Sequence, residues 1–163
     1  MVEIWDAYDK QFYKIANVKL IRGETIPDRM YHLVSEIIVR HLDGTYLLMQ
    51  RDFKKNLGGM WELTAGGSAL AGETSLDCAI RELKEETGIE ASDLLEIRRI
   101  VHEEHRSLYV EYLCTTECDK NSIILQEGET IAYKWVDRNT LVNMKMDTLA
   151  SSRTFAIINE CNL

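Results

Sequence analysis

Apolar residues recur along this chain at two spacings, every second position through most of its length and every third or fourth near residue 80 and again toward residue 160. The first spacing marks strands and the second marks amphipathic helices. "EIWDAYD" and "YKIANVKLI" alternate loosely and predict an N-terminal strand or hairpin before the loop "RGETIPDR". Within "HLVSEIIVRHLDGTYLLMQR" two β-rich runs flank Asp43 and Gly44, a pair with ready access to positive φ, and predict a tight hairpin at the edge of a sheet. "MWELTA" reads as a short strand ending at Gly66 and Gly67. Further strands are expected at "LLEIRRIVHE", "SLYVEYLCTT" and "TIAYKWVD", while the stretch from Arg138 to Glu160 favours helix.

The strongest helical signal lies in "TSLDCAIRELKEETGI". Thr74 and Asp77 have the spacing of a capping box, and Gly88 is placed to end the helix in a left-handed cap, so the spacing predicts a helix over about 75–87. Leu76, Ala79, Ile80 and Leu83 form its apolar face. Beside that face, at about 100° per residue, Glu82, Glu85 and Glu86 gather on one arc. Strands on both sides of this helix, with a second helix at the end, indicate a mixed sheet covered by helices.

At 163 residues and 45% apolar content the chain has the size of one domain, and no repeat, linker or low-complexity tract divides it. A formal net charge of -8 argues against a general binder of nucleic-acid backbones, though an acidic protein can hold phosphate through metal ions. No run of eighteen apolar residues exists and "MVEIWDAYDKQF" lacks the form of a secretory signal, so a cytoplasmic protein with no membrane association is expected. Cys78, Cys114, Cys118 and Cys161 are scattered through periodic segments without a second ligand pair for zinc, and read as reduced structural thiols.

Three carboxylates crowded on one helical edge repel by a few tenths of a kcal/mol per pair. Solvation with Arg81 and Lys84 as neighbours would suffice for an ordinary surface helix. Here the helix follows the glycine-rich loop "GGSALAGE", and carboxylates beside freed backbone carbonyls supply the hard oxygen ligands that magnesium or manganese requires.

From Gly67 the chain runs five residues to Glu73, then seven to "RELKEETGI". This resembles the box of the Nudix hydrolases at every fixed position, with Leu83 and Ile89 in its aliphatic places. "MWELTAGG" resembles the strand entering the box, although Ala65 stands where many members have proline, and "QEGETIAYKWVD" resembles the family's later acidic loop and strand. The resemblance implies one Nudix domain over 1–163, an α/β/α sandwich with a mixed sheet between helices, and metal-dependent hydrolysis of a diphosphate bond. The substrate class it implies is a nucleoside diphosphate linked to another group.

The same resemblance assigns roles. Glu85 and Glu86 would ligate Mg2+ or Mn2+, the Gly67 carbonyl and Glu129 would add ligands, and Glu82 would ligate or, by preference, take the proton from water. Arg81 would orient a box glutamate and Glu73 would be structural. Glu127 would share the side of Glu129 if that segment is extended. Arg51 and Lys55 are candidates for gripping the diphosphate. Trp5, Trp61, Trp135, Tyr109 and Tyr112 read as core.

The N-terminal half is also similar to the Nudix branch containing isopentenyl-diphosphate isomerases, the alternative reading. That reaction needs a cysteine and a histidine where this sequence has Gly66 and Ser68, and His32, which matches one of its metal-binding histidines, reads as packed or hydrogen-bonded. A third reading is a binding module without turnover, ranked last because every box glutamate is present. No basic stripe favours nucleic acid. A homodimer is compatible with the sequence.

Overall fold

The computed structural model describes residues 1–163, the side chain of Phe155 excepted. An N-terminal hairpin, β1 (Ile4–Tyr8) and β2 (Lys14–Ile21), forms its own antiparallel sheet. The main sheet comprises β3 (His32–His41), β4 (Tyr46–Arg51), β5 (Trp61–Glu62), β6 (Thr64–Ser68), β7 (Leu95–His102), β8 (Ser107–Thr116) and β9 (Thr130–Val136). Helix α1 (Ser75–Thr87) follows β6, and the chain ends in α2 (Arg138–Val142) and α3 (Arg153–Glu160).

β3 and β4 join through the expected turn at Asp43–Gly44, but β3 is central rather than at an edge. It pairs in parallel with β8 along its whole length, from His32 opposite Ser107 to His41 opposite Thr116, and antiparallel with β6 on the other side. The reason is legible in "EIIVR". Ile37 and Val39 face α1, Ile38 faces the C-terminal helices, and all three are buried, as a strand covered on both faces requires.

β4 repeats the division. Leu47 and Met49 join the α1 layer with Leu108, Val110, Ala79 and Leu83, whereas Tyr46 and Leu48 join Leu141, Ile157 and Ile158 on the opposite face. Two apolar layers with the sheet between them make the α/β/α sandwich. α1 begins and ends where the spacing places it, but its face is wider, because Cys78 is fully buried while Leu76 and Ile80 are only partly so.

Two further departures are local. β6 runs through Gly66 and Gly67 to Ser68 instead of stopping at them. The C-terminal stretch is not one helix: α2 stops at Val142, a 3-10 turn occupies Met146–Thr148, and α3 starts only at Arg153. Asp137 caps α2, its side chain accepting from the Thr140 N–H at 2.7 Å. Among the described residues no helix is long and apolar enough to cross a membrane.

Candidate active site

The glutamate edge of α1 owes its placement to both ends of the helix. The Thr74 hydroxyl accepts from the Asp77 N–H at 3.1 Å while the Asp77 carboxylate accepts from the Thr74 N–H at 3.0 Å, fixing the first turn. Gly88, at φ 75°, closes the last turn with its N–H on the Lys84 carbonyl. Between them Ala79 and Leu83 are locked against the sheet, so the glutamates are turned toward β6.

Arg81 organises that edge. Its guanidinium forks onto Glu73 at 2.7 and 2.9 Å, donates to Glu82 at 2.6 Å and Glu85 at 3.3 Å, and reaches the Ser68 carbonyl at 3.3 Å. The Arg81 hydrogen bonds hold the Glu73 carboxyl below its ordinary range. Burial pushes Glu82 upward despite Arg81, with Glu85 adding its repulsion. Burial also pushes Glu86 to about 8; the Gly66 N–H donated to its Oε2 at 3.1 Å opposes the rise, and Glu82 and Glu62 reinforce it.

Glu82, Glu85, Glu86 and Glu129 line one open cavity of about 440 Å3 with Gly67 and Lys55. A smaller cavity of about 200 Å3 continues from it past Glu86 and Glu129 to Arg51, Glu62 and Glu36. Both expected phosphate-gripping residues therefore face the cleft, but each is already paired: Arg51 with Glu62, and Lys55 with Glu129. Glu62 is a cleft residue that sequence reasoning missed. Burial lowers the Lys55 ammonium pKa, with Arg51 contributing.

Two expectations change. Glu127 is exposed and off the cleft, because Gln126 to Thr130 form a turn, with Gly128 at φ 81°, and not an extended segment. Tyr109 is not simply core: it lines the cleft and carries the Arg153 guanidinium over its ring at 4.1 Å. The Gly67 carbonyl accepts from the Cys78 thiol at 3.4 Å. His32 is a hydrogen-bonded residue. Its ring nitrogens meet Ser107 at 2.7 Å and Ser68 at 3.3 Å, it stacks on Trp5 at 4.2 Å, and burial holds its pKa at about 4.

Hard oxygen donors gathered in one cavity, with one carboxyl driven up to about 8 by burial and its neighbours, fit a divalent cation chemically. Among the described residues no three carboxylate, imidazole or thiolate groups already converge as a finished coordination shell. Glu82 and Glu85 share the Arg81 Nη1, and Glu129 is paired with Lys55.

The NUDIX domain family model matches residues 30–156, leaving the N-terminal hairpin outside. A Nudix hydrolase of Listeria innocua is 30% identical over 156 residues, 94% of this chain and 88% of that protein. The CTP pyrophosphohydrolase of Escherichia coli is 42% identical over 64 residues, 39% of this chain and 45% of that one. Among solved structures, DR0079 from Deinococcus radiodurans superposes with a TM-score of 0.78 at 15% identity, covering 99% of this chain and all of the other, a likeness of fold.

Proposed function

The chain belongs to the Nudix domain family, and from that premise we propose that it hydrolyses a diphosphate bond in a nucleoside diphosphate linked to another group, with Mg2+ or Mn2+ as its cofactor. One observation carries the reading: Glu82, Glu85, Glu86 and Glu129 line a single cavity beside the cationic pair Arg51 and Lys55. The nucleotide-derived substrate is supported by the partial match to an enzyme named for CTP.

Glu85, Glu86 and Glu129, with the Gly67 carbonyl, are the groups that would hold the metal. When bound, it supplies neutralisation of the diphosphate oxygens and a more acidic water. Glu82 is the proton acceptor: burial raises its affinity for a proton while Arg81 keeps its carboxylate in place at 2.6 Å. The water oxygen bonds to phosphorus, the phosphorus–oxygen bond to the leaving phosphate breaks, and the water proton passes to Glu82. Arg51 and Lys55 exchange their carboxylate partners for phosphate oxygens. Arg81 touches no reacting atom and is a positioning residue.

Incubation with a panel of nucleoside diphosphate derivatives and Mg2+ or Mn2+ is expected to release phosphorylated products. Glu86→Gln is expected to reduce that release by roughly 100-fold or more. Full activity in the variant would remove the metal role of this edge, and a panel left intact by the unaltered protein would remove hydrolysis itself.

A further inference from the structure

We propose that the cavity between the β7–β8 turn and the start of α3 is a nucleobase subsite, in which Arg153 and Glu36 read the hydrogen-bonding edge of the base. The inference rests on the hydrolase reading, because it places the base end of the same substrate. This cavity, of about 220 Å3, shares Glu36, Glu62, Thr64 and Tyr109 with the neighbouring cavity that holds Glu86 and Glu129. Separately each falls below the roughly 300 Å3 at which small-molecule sites begin, and joined they reach it. A substrate whose phosphates sit at Glu86 therefore has room to extend its far end into this cavity.

The walls specify what that end must be. Arg153 donates through Nη2 to Glu36 Oε1 at 2.7 Å and through Nε to Ser151 at 3.4 Å, but its Nη1 is buried without a partner. Thr130 Oγ1 is the other buried polar side-chain atom without a partner among the described residues, and Thr130 lines the phosphate-side cavity. Both orphans thus belong to residues of one cleft. Leaving such groups unpaired is costly, so the cleft is built to be completed by a polar occupant.

Three candidate occupants can be separated by charge and polarity. An isoprenoid tail would offer no partner to the Arg153 Nη1 or to the histidines and would lie against the Arg153–Glu36 ion pair. A second anionic group would meet Glu36 and Glu62. A neutral heterocycle carrying acceptors and donors side by side can accept from Arg153 and donate to Glu36. Flat surfaces are available too: His102 and His105 stack at 4.5 Å and 11° on the cavity wall, and Tyr109 fixes the guanidinium plane from below at 4.1 Å. None of these residues lies in the glutamate box. α3 and the β7–β8 turn bring them to it.

The test has two arms. First, kcat/KM is measured for nucleoside diphosphate compounds bearing each of four bases and for the matching ribose diphosphate compound without a base. The base-bearing compounds are expected to be favoured by about tenfold or more through KM, and Arg153→Met or Glu36→Gln is expected to shrink that ratio to a few-fold. An unchanged ratio in correctly folded variants overturns the proposal. Second, the unaltered protein is titrated by NMR with free nucleosides, without metal or phosphate, up to about 10 mM, weak binding being expected. Amide shifts are expected at residues 102–106 and 150–154. Shifts confined to the α1 edge, or none, overturn it as well. The second arm needs no turnover, so failure of hydrolysis and failure of the subsite give different results.

Discussion

Gly66 and Gly67 are adjacent and do different work. A Cβ built on Gly66 would lie 2.1 Å from the Ser35 carbonyl oxygen and 2.9 Å from the Glu36 Cα, both backbone atoms of β3 that cannot move aside. A Cβ on Gly67 would instead meet the Glu82 carboxyl at 2.4 Å, the far end of a flexible side chain. Gly66→Ala is therefore expected to force β6 off β3 and cost about 2–4 kcal/mol in a urea unfolding experiment. Gly67→Ala should stay within about 0.5 kcal/mol of the parent but displace Glu82 and lose most of the turnover. Equal stability losses in the two variants would show that this division between backbone and side-chain contact does not hold.

The N-terminal hairpin is an element with its own electrostatic attachment. Asp6 is buried in β1; although burial pushes its carboxyl upward, hydrogen bonds from Lys14 and Lys19 and from the Gly72 N–H at 2.8 Å hold its pKa at about 2. Since Gly72 belongs to the loop that leads into α1, Asp6 ties the hairpin to the box. His32 lies under Trp5 of the same hairpin, held at about 4 by burial.

Both values imply loss of stability in acid, over different ranges. His32 stays neutral in the fold, so its contribution is complete above about 6.5, the ordinary value, and is drawn down as pH falls toward 4. Asp6 is a depressed carboxyl, so its contribution is complete above about 3.8 and is lost as pH falls toward 2. Unfolding midpoints followed from pH 7 downward are expected to carry a loss from His32 between about 6.5 and 4, set against a gain from Glu86, whose raised carboxyl loses stability as pH rises toward 8, and a further loss from Asp6 below about 3.8, with His32→Gln lacking the first loss and Asp6→Asn the second. A single transition common to all three proteins would contradict this assignment.

For the molecule as a whole, the two apolar layers stand on Leu, Ile and Val side chains that do not line the glutamate cavity, so folding is expected to be independent of the cation. Treatment with a chelator should leave the circular dichroism spectrum unchanged. Adding Mn2+ should raise the unfolding free energy by about 2.7 kcal/mol at a hundred times its dissociation constant, with no rise in Glu86→Gln. Unfolding on chelation would mean that the metal belongs to the architecture and not only to the site. The net charge of -8 acts at this level too, since it tolerates four clustered glutamates only where Arg81, Lys55 and Arg51 lie among them.

Local rules were enough to read α1 from its caps, the Asp43–Gly44 turn, the glutamate edge and the alternation of strands with a covering helix, because each depends on residues within about one or two turns of one another. The same information could not place β3 at the centre of the sheet. That follows from its parallel pairing with β8, 75 residues further along the chain, which no local spacing encodes. Nor could it show that Arg51 and Lys55 are already paired, that Glu62 enters the cleft, or that Tyr109 carries Arg153. Those arrangements arise from packing between distant elements, where burial and charge are set by whichever side chains the sheet brings within a few ångströms.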